Sequence, residues 1–258
     1  MHNAPVGWAL AHPAGLVIVR ATTAGDVVAV SGLHPGRIVS IEAALHLAGA
    51  GWPEGVPLDV VLEDPAREAA GLYALNPLAR QRPVRVTIPG RPGIARAARV
   101  AMALQFPVRL LALQPSPELL AELDDILEVY LHGAQTAAPV EFLQSALAWW
   151  LHGDTPPAWI ALELDPDWFP RVDGEATETR AWPPPPAEPG FVRARLASLV
   201  EAGAECATCR FREWCQGFFK WPDPAYRCDG GMIPLLARIE DSAAQLSRDL
   251  DEARALEP

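Results

Sequence analysis

Hydrophobic residues between positions 83 and 133 follow two alternating periods. The stretches PVRVTI (83–88) and PVRLLAL (107–113) are short runs rich in branched apolar residues, which is typical of buried strands. Residues 92–106 and 116–133 instead repeat their apolar residues about every 3.6 positions, as one face of a helix requires. Strand, helix, strand and helix joined by short links predict a parallel sheet with right-handed crossovers.

The pattern outside this region predicts further elements. Ser116, Pro117 and Gly133 are suited to the N-cap, first position and stop of the helix at 116–133. On the N-terminal side we expect strands at 15–20, 26–32 and 57–63 and helices at 40–51, with Ser40 as N-cap, and at 64–75. On the C-terminal side we expect helices at 139–153, 191–204 and 233–256 and a strand at 158–164. Trp149 and Trp150 are expected in the core, with one of them contacting the C-terminal part of the chain.

Composition changes after residue 165. Residues 165–190 are rich in proline, acidic and turn-forming residues, and the consecutive prolines at 183–186 exclude a helix there. We therefore predict an α/β domain at residues 1–165, a proline-rich linker at 166–190, and a small helical domain at 191–258.

The net charge of the chain bears on which class of molecule it binds. The 258 residues carry a formal net charge of −11, which disfavours a general affinity for nucleic acid. Half of the residues are hydrophobic, so a disordered chain is excluded. The first residues lack the basic region of a signal peptide, and no apolar run reaches the length of a membrane span. We expect a cytoplasmic protein with no membrane segment.

The candidate chemistry lies in one stretch, ECATCRFREWCQGFFKWPDPAYRC (205–228). It contains all four cysteines of the chain, Cys206, Cys209, Cys215 and Cys228, at spacing C-x2-C-x5-C-x12-C. In the cytoplasm clustered cysteines are more often metal ligands than disulfides. The nearest histidine in sequence is His152, so we predict an all-cysteine metal site.

Spacing alone leaves the metal open. Zinc knuckles usually contain two C-x2-C pairs, and only the first pair here is closely spaced. Six aromatic residues in the same 24 positions would keep water away from an iron–sulfur cluster, or would simply form the core of a small domain.

The cysteine stretch resembles the C-terminal auxiliary-cluster region of radical S-adenosylmethionine enzymes with a SPASM domain, in particular those that modify ribosomally made peptides. That region repeats C-x2-C-x5-C with a glycine soon after the third cysteine, and Gly217 matches it. The resemblance implies that the four cysteines ligate one 4Fe–4S cluster. The residues around this cluster would be Phe211, Trp214, Gly217, Phe219, Lys220 and Tyr226. Residues 83–153 look like the βα-barrel portion of such enzymes.

The same resemblance implies what this sequence does not contain. The radical enzymes hold their catalytic cluster in an N-terminal C-x3-C-x2-C loop, whereas no cysteine precedes Cys206 here. We therefore expect no bound S-adenosylmethionine and no self-contained radical activity. The expected fold class is α/β, a partial βα-barrel-like or open parallel-sheet domain with a small SPASM-like domain. The expected function is an accessory iron–sulfur protein that binds a precursor peptide, a partner radical enzyme, or both.

Two other functions compete with this hypothesis. The four cysteines would hold a structural zinc ion if the chain is a non-redox interaction module. A nuclease with an iron–sulfur staple would need an acidic pair and a lysine, but Lys220, the single lysine, lies inside the cysteine loop. The acidic charge also disfavours the nuclease.

Overall fold

The fold is an α/β structure centred on a parallel sheet. The computed structural model describes residues 2–11, 17–49, 51–112, 114–133, 138–153, 171–172, 179–180, 191–220 and 223–255. Six strands have four to seven residues: β1 (His2–Pro5), β2 (Val17–Ala21), β3 (Ile38–Ala44), β4 (Leu58–Val61), β5 (Val84–Pro89) and β6 (Val108–Leu111). Three two-residue strands extend the sheet: β7 (Val140–Glu141), β8 (Arg171–Val172) and β9 (Thr179–Arg180).

Neighbouring strands of the sheet are also neighbours in sequence from β1 to β7. The order is β7-β6-β5-β4-β3-β2-β1-β8-β9, and every pairing is parallel except that of β8 with β9. Because right-handed crossovers that always step in one direction place their connections on one side, the connecting helices cover a single face of the sheet.

Ten α-helices lie among the described residues. They are α1 (Val6–Ala11), α2 (Ala24–Val30), α3 (Pro65–Glu68), α4 (Asn76–Ala79), α5 (Ile94–Ala103), α6 (Pro117–His132), α7 (Leu143–His152), α8 (Phe191–Glu201), α9 (Arg212–Cys215) and α10 (Met232–Ala255). Short 3-10 helices occupy residues 35–37, 45–47, 69–75, 205–207 and 218–220.

The central elements match the prediction from hydrophobic period. β5, α5, β6 and α6 lie where 83–133 predicts them. Helix α6 begins after Ser116, whose hydroxyl accepts the Leu119 N–H at 3.4 Å, with Pro117 in its first turn and Gly133 at its end. The parallel sheet, the strand in 57–63 and the final helix are likewise confirmed.

The strand predicted at 26–32 is wrong, because these residues form the end of α2. Thr23 caps this helix: its hydroxyl accepts the Asp26 N–H at 3.2 Å, and the Asp26 carboxylate accepts the Thr23 N–H at 2.8 Å. This reciprocal capping box satisfies two backbone donors. Val27 and Val30, three positions apart, are buried on the same side of the helix.

The helix predicted at 40–51 is also wrong, because its first half is strand β3. Ser40 is an interior strand residue rather than an N-cap. Ile41 and Ala43 alternate into the core, and β3 is hydrogen-bonded between β2 and β4. Pairing on both sides decides the conformation here, since Ile41, Glu42 and Ala43 each have a partner in both β2 and β4.

Three further differences concern element boundaries. Strand β1 and helix α1 occupy an N-terminal segment for which no element was predicted. The helix expected from residue 139 begins at Leu143, after strand β7. The strand expected at 158–164 and most of the predicted linker at 166–190 lie outside the described residues, apart from β8 and β9.

The two faces of the sheet differ in character. Leu58 and Val60 of β4 point into the apolar core, whereas Asp59 between them points to the opposite face. There Asp59 accepts hydrogen bonds from Thr87 at 2.6 Å and Arg85 at 2.5 Å, and Arg109 Nε donates to Thr87 Oγ1 at 3.0 Å. We call these four residues the Asp59 network. Asp59, Thr87 and Arg109 are buried, and hydrogen bonds join them to one another and to Arg85.

Candidate metal centre

The cysteine stretch is docked at the carboxyl end of β6. Gln114, which follows that strand, donates its side-chain N–H to the carbonyl oxygens of Asp223 at 2.8 Å and Phe219 at 3.4 Å. The Tyr226 hydroxyl donates to the carbonyl oxygen of Pro115 at 3.2 Å. In α/β folds this edge of a parallel sheet is where ligands bind. The cysteines therefore occupy the edge at which an α/β fold usually carries its chemistry.

A tight turn shapes the backbone around Cys215. Helix α9 ends at Cys215, and Gln216 and Gly217 follow with left-handed φ angles of 49° and 80°. The backbone N–H groups of Phe219 and Gly217 act to lower the pKa of the Cys215 thiol, against the effect of burial. Gly217 is required here on two counts, since a Cβ would also lie 2.8 Å from Leu199 Cδ1.

The four thiols are free, and they influence one another electrostatically. Cys206 and Cys228 are buried, and Cys209 and Cys215 are partly buried. Burial raises the pKa of the Cys215 thiol to about 11, the N–H groups of Phe219 and Gly217 oppose that rise, and Cys206 and Cys209 add to it. Burial, followed by the charge of Cys215, raises the pKa of Cys228 to about 12. Burial and Cys209 likewise raise the pKa of Cys206. The four thiols are therefore close enough to interact, and their shared surroundings favour the neutral form of each one whose pKa is raised.

The chemistry of this donor set, four thiols, is that of zinc and iron–sulfur ligands. Among the described residues, however, no three His, Cys, Asp or Glu side chains form a group that could hold a metal ion. The indole N–H of Trp214, the residue before Cys215, has no acceptor among the described residues, although Trp214 is only 1% exposed. A buried donor without a partner is rare in proteins.

The aromatic residues of the stretch form the wall of the site. The ring of Trp150 lies 5.5 Å from that of Phe211 and 5.6 Å from that of Trp214. Phe219 contacts the rings of Phe142 at 5.4 Å and Trp214 at 6.2 Å. The structure thus brings together Phe211, Trp214 and Phe219, and it confirms that one of the paired tryptophans contacts the C-terminal part. Trp221 lies outside the described residues.

Lys220 is the buried cation of the site. Its residue is 2% exposed, and its ammonium lies 3.1 Å from Glu205 Oε2 and donates to the carbonyl oxygen of Tyr226. The second oxygen of Glu205 accepts the Cys228 N–H at 2.5 Å. Lys220 counteracts the rise in the pKa values of Cys206 and Cys228.

Sequence patterns do not identify two residues of this site. Glu205 directly precedes Cys206, but an acidic residue in a loop is usually solvated, and only the fold shows its contact with Cys228. Arg195, from α8, donates to the carbonyl oxygen of Lys220 at 2.6 Å, and its guanidinium interacts with the Cys206 thiolate. No spacing rule links residue 195 to the cysteines, so its position could be found only from the structure.

A separate cavity lies at the carboxyl ends of β2, β3 and β4. It measures about 150 Å³ and is lined by Arg20, Thr22, Glu42 and Glu63, together with neighbouring alanines and Val61. Four of its eight lining residues have polar or charged side chains, and it lies at the strand ends, where α/β folds usually bind ligands. No residue of this cavity belongs to the set that sequence analysis singles out.

Comparisons with models of protein families, with curated proteins and with solved structures return no match to this chain. Among the helices described by the structure, none has both the length and the apolar character needed to cross a bilayer. The interpretation of function therefore rests on the geometry and chemistry of the residues themselves.

Proposed function

We propose that this chain is an accessory iron–sulfur protein of a peptide-maturation system, in which Cys206, Cys209, Cys215 and Cys228 hold one 4Fe–4S cluster. The observation that carries the proposal is the shared neighbourhood of these four thiols, walled by aromatic rings at the carboxyl edge of the sheet. A cluster ligated by four thiolates has no open iron site, so it would supply electron transfer or structural support rather than substrate ligation.

The arrangement of the sheet supports the resemblance to radical peptide maturases. Strands β1 to β7 lie in chain order and all run parallel, which is the arrangement of a βα barrel or of part of one. We infer that the α/β part is a partial barrel and that residues 191–258 are a SPASM-like domain attached to its open end.

The partners in this proposal are a precursor peptide, a radical S-adenosylmethionine enzyme, or both. The cavity beside Arg20, Glu42 and Glu63 opens at the same edge of the sheet as the cysteines. Residues from one precursor peptide would then be able to contact both features. A radical-generating cluster would be supplied by the partner enzyme, because this sequence has no cysteine before Cys206.

An interaction module with a structural zinc ion is the second candidate. Phe211, Trp214, Phe218 and Phe219 belong to one continuous core with the α/β part. A zinc ion bound by the four cysteines would stabilise the packing of the C-terminal segment on that core and would have no redox role.

Anaerobic purification followed by absorbance spectroscopy distinguishes the two candidates. A cluster predicts a broad band at about 400 nm that bleaches with dithionite. A colourless protein that contains one zinc ion per chain contradicts the proposed function.

Co-expression tests the partner. The chain would be produced together with a radical S-adenosylmethionine enzyme and a short peptide encoded beside its own gene, and the three would be purified through a tag on this chain. Co-purification of either partner supports the proposal. The absence of such genes from the neighbourhood, or purification of the chain alone, contradicts it.

A further inference from the structure

Lys220 carries a positive charge in the protein interior, where desolvation of a charge is unfavourable. Removing an ammonium group from water costs several kcal/mol unless its partners compensate, yet Lys220 is 2% exposed and is the single lysine of the chain. It lies in the 3-10 helix Phe218–Lys220, between the third and fourth cysteines. A side chain that only filled space at this position would not need a charge.

Glu205 fixes the position of this charge relative to two cysteines. One carboxylate oxygen lies 3.1 Å from Lys220 Nζ, and the other accepts the backbone N–H of Cys228 at 2.5 Å. Glu205 is also the residue directly before Cys206. Glu205 therefore links the first and last cysteines of the stretch, and Lys220 is paired with it.

The ammonium has capacity for one more acceptor. An ammonium carries three N–H donors. Among the described residues, Glu205 and the Tyr226 carbonyl oxygen account for two of these donors. The third donor remains for a group bound by Cys206 and Cys228, because Glu205 pairs with the ammonium, directly precedes Cys206 and accepts the Cys228 N–H.

The charge of a four-thiolate centre determines what this cation does. A doubly positive centre, whether one zinc ion or an oxidised 4Fe–4S core, leaves a net charge of about −2 on the assembly with four thiolates. Addition of one electron to the cluster makes the assembly more negative. A fixed cation nearby stabilises the more negative state, since the interior screens charge weakly.

We propose that Lys220, held in place by Glu205, is the built-in counter-charge of the cysteine centre: it stabilises metal binding by Cys206 and Cys228 and raises the reduction potential of a bound cluster. The inference rests on the metal centre of the proposed function. Lys220 and Glu205 are positioning residues, because they act through the cysteines.

Substitutions with opposite expected signs test the proposal. Lys220→Met keeps the length of the side chain and removes the positive charge, so the midpoint potential of the cluster should fall. Glu205→Gln keeps an acceptor for the Cys228 N–H and removes the negative charge, so the potential should rise. A purely structural role would move both variants in the same direction, through loss of the cluster.

Controls keep this test decisive. Lys220→Arg retains the charge and should stay close to the native potential. If Lys220→Met does not fold, the rise expected in Glu205→Gln decides the test. Arg99→Met removes a positive charge from an exposed ion pair on α5 and should leave the potential unchanged. Equal potentials in native protein, Lys220→Met and Glu205→Gln, or shifts of the same sign, overturn the counter-charge.

Identifying the bound metal distinguishes failure of the counter-charge proposal from failure of the proposed function. If the chain contains zinc, the proposed function fails, and the counter-charge is measured as zinc affinity by competition with a chelator. Lys220→Met should then weaken zinc binding by about tenfold, and Glu205→Gln should not weaken it. Unchanged zinc affinity in Lys220→Met overturns the counter-charge. If the native chain binds neither iron nor zinc, both proposals are overturned.

Discussion

Asp59 shows how a single residue can organise one face of this sheet. It is buried among Arg85, Thr87 and Arg109, with its carboxylate 2.5 Å from Arg85 and 3.8 Å from Arg109. Burial acts to raise the pKa of Asp59, but the two guanidinium groups and the hydrogen bonds from Arg85 and Thr87 outweigh it, so the pKa is lowered. The folded state therefore favours the ionised form of this carboxyl group.

Replacing Asp59 with Asn should destabilise the protein in a pH-dependent way. Two guanidinium groups would lose their counter-ion, at a cost of about 3 kcal/mol at pH 7. Because the folded pKa lies below the unfolded one, the contribution of Asp59 is present above pH about 4 and is lost as the pH falls through the folded pKa. Denaturant unfolding of both proteins at pH 7 and at lower pH checks this expectation.

The control for this prediction is Asp125→Asn. Asp125 pairs with Arg99 at 2.8 Å, but both side chains are at least half exposed. This variant should cost less than about 1 kcal/mol. A difference between Asp59→Asn and the native protein that stays constant as the pH falls contradicts the account of Asp59.

Gly217 is the second position at which one residue determines local structure. Gly217→Ala places a side chain at φ +80° and 2.8 Å from Leu199 Cδ1, at a conformational cost of about 1–2 kcal/mol. It would also disturb the left-handed turn that directly follows Cys215, so metal retention during gel filtration should fall.

Gly153→Ala is its matched control, because Gly153 has φ +72° and open space around its Cα atom. It should lose similar stability and keep its metal. Equal metal retention in the two variants contradicts the role assigned to Gly217.

Among the elements, α2 and β3 are the two whose secondary structure the local sequence pattern does not determine. The run of valines at 27–30 has high strand propensity, but the Thr23 capping box and the need for a crossover between β2 and β3 make it a helix. β3 resembles a helix locally because of its alanines and glutamate, and only pairing with both neighbours makes it a strand. Helix α6 was predictable because its caps and its period agree. The cysteine set stays a prediction from spacing, whereas the contacts of Glu205 and Arg195 in this region depend on tertiary structure.

Thr23→Ala tests the element-level account of α2. Loss of the capping box should lower the free energy of unfolding by about 1 kcal/mol. Ser198→Ala, an exposed interior position of α8, should change it by less than about 0.5 kcal/mol. Denaturant titration measures both, and an unchanged midpoint in Thr23→Ala would show that the crossover alone holds this helix.

At the scale of the whole molecule, the C-terminal segment is packed against the α/β part rather than merely tethered to it. Helix α10 packs on α7 and α6, and Arg238 pairs with Asp124 and Glu128 of α6, the latter at 2.9 Å. Phe218 and Phe219 lie in the same core as the sheet residues. Loss of a metal bound by the cysteines should therefore also destabilise the sheet.

Thermal unfolding followed by two probes tests this coupling. Backbone circular dichroism reports the helices and sheet, and absorbance of the metal centre reports the cysteines. Because one core joins them, we expect both signals to change in a single transition, with a lower midpoint after the metal is removed by chelation. Two separate transitions would show that residues 191–258 unfold as an independent domain.

The proposal that Cys206, Cys209, Cys215 and Cys228 hold one 4Fe–4S cluster is tested by quantification of iron, acid-labile sulfide and zinc in the full chain after anaerobic purification. We expect about four iron and about four sulfide per chain, and loss of both in a Cys215→Ser variant. One zinc ion per chain with no sulfide, or no metal at all, would contradict it.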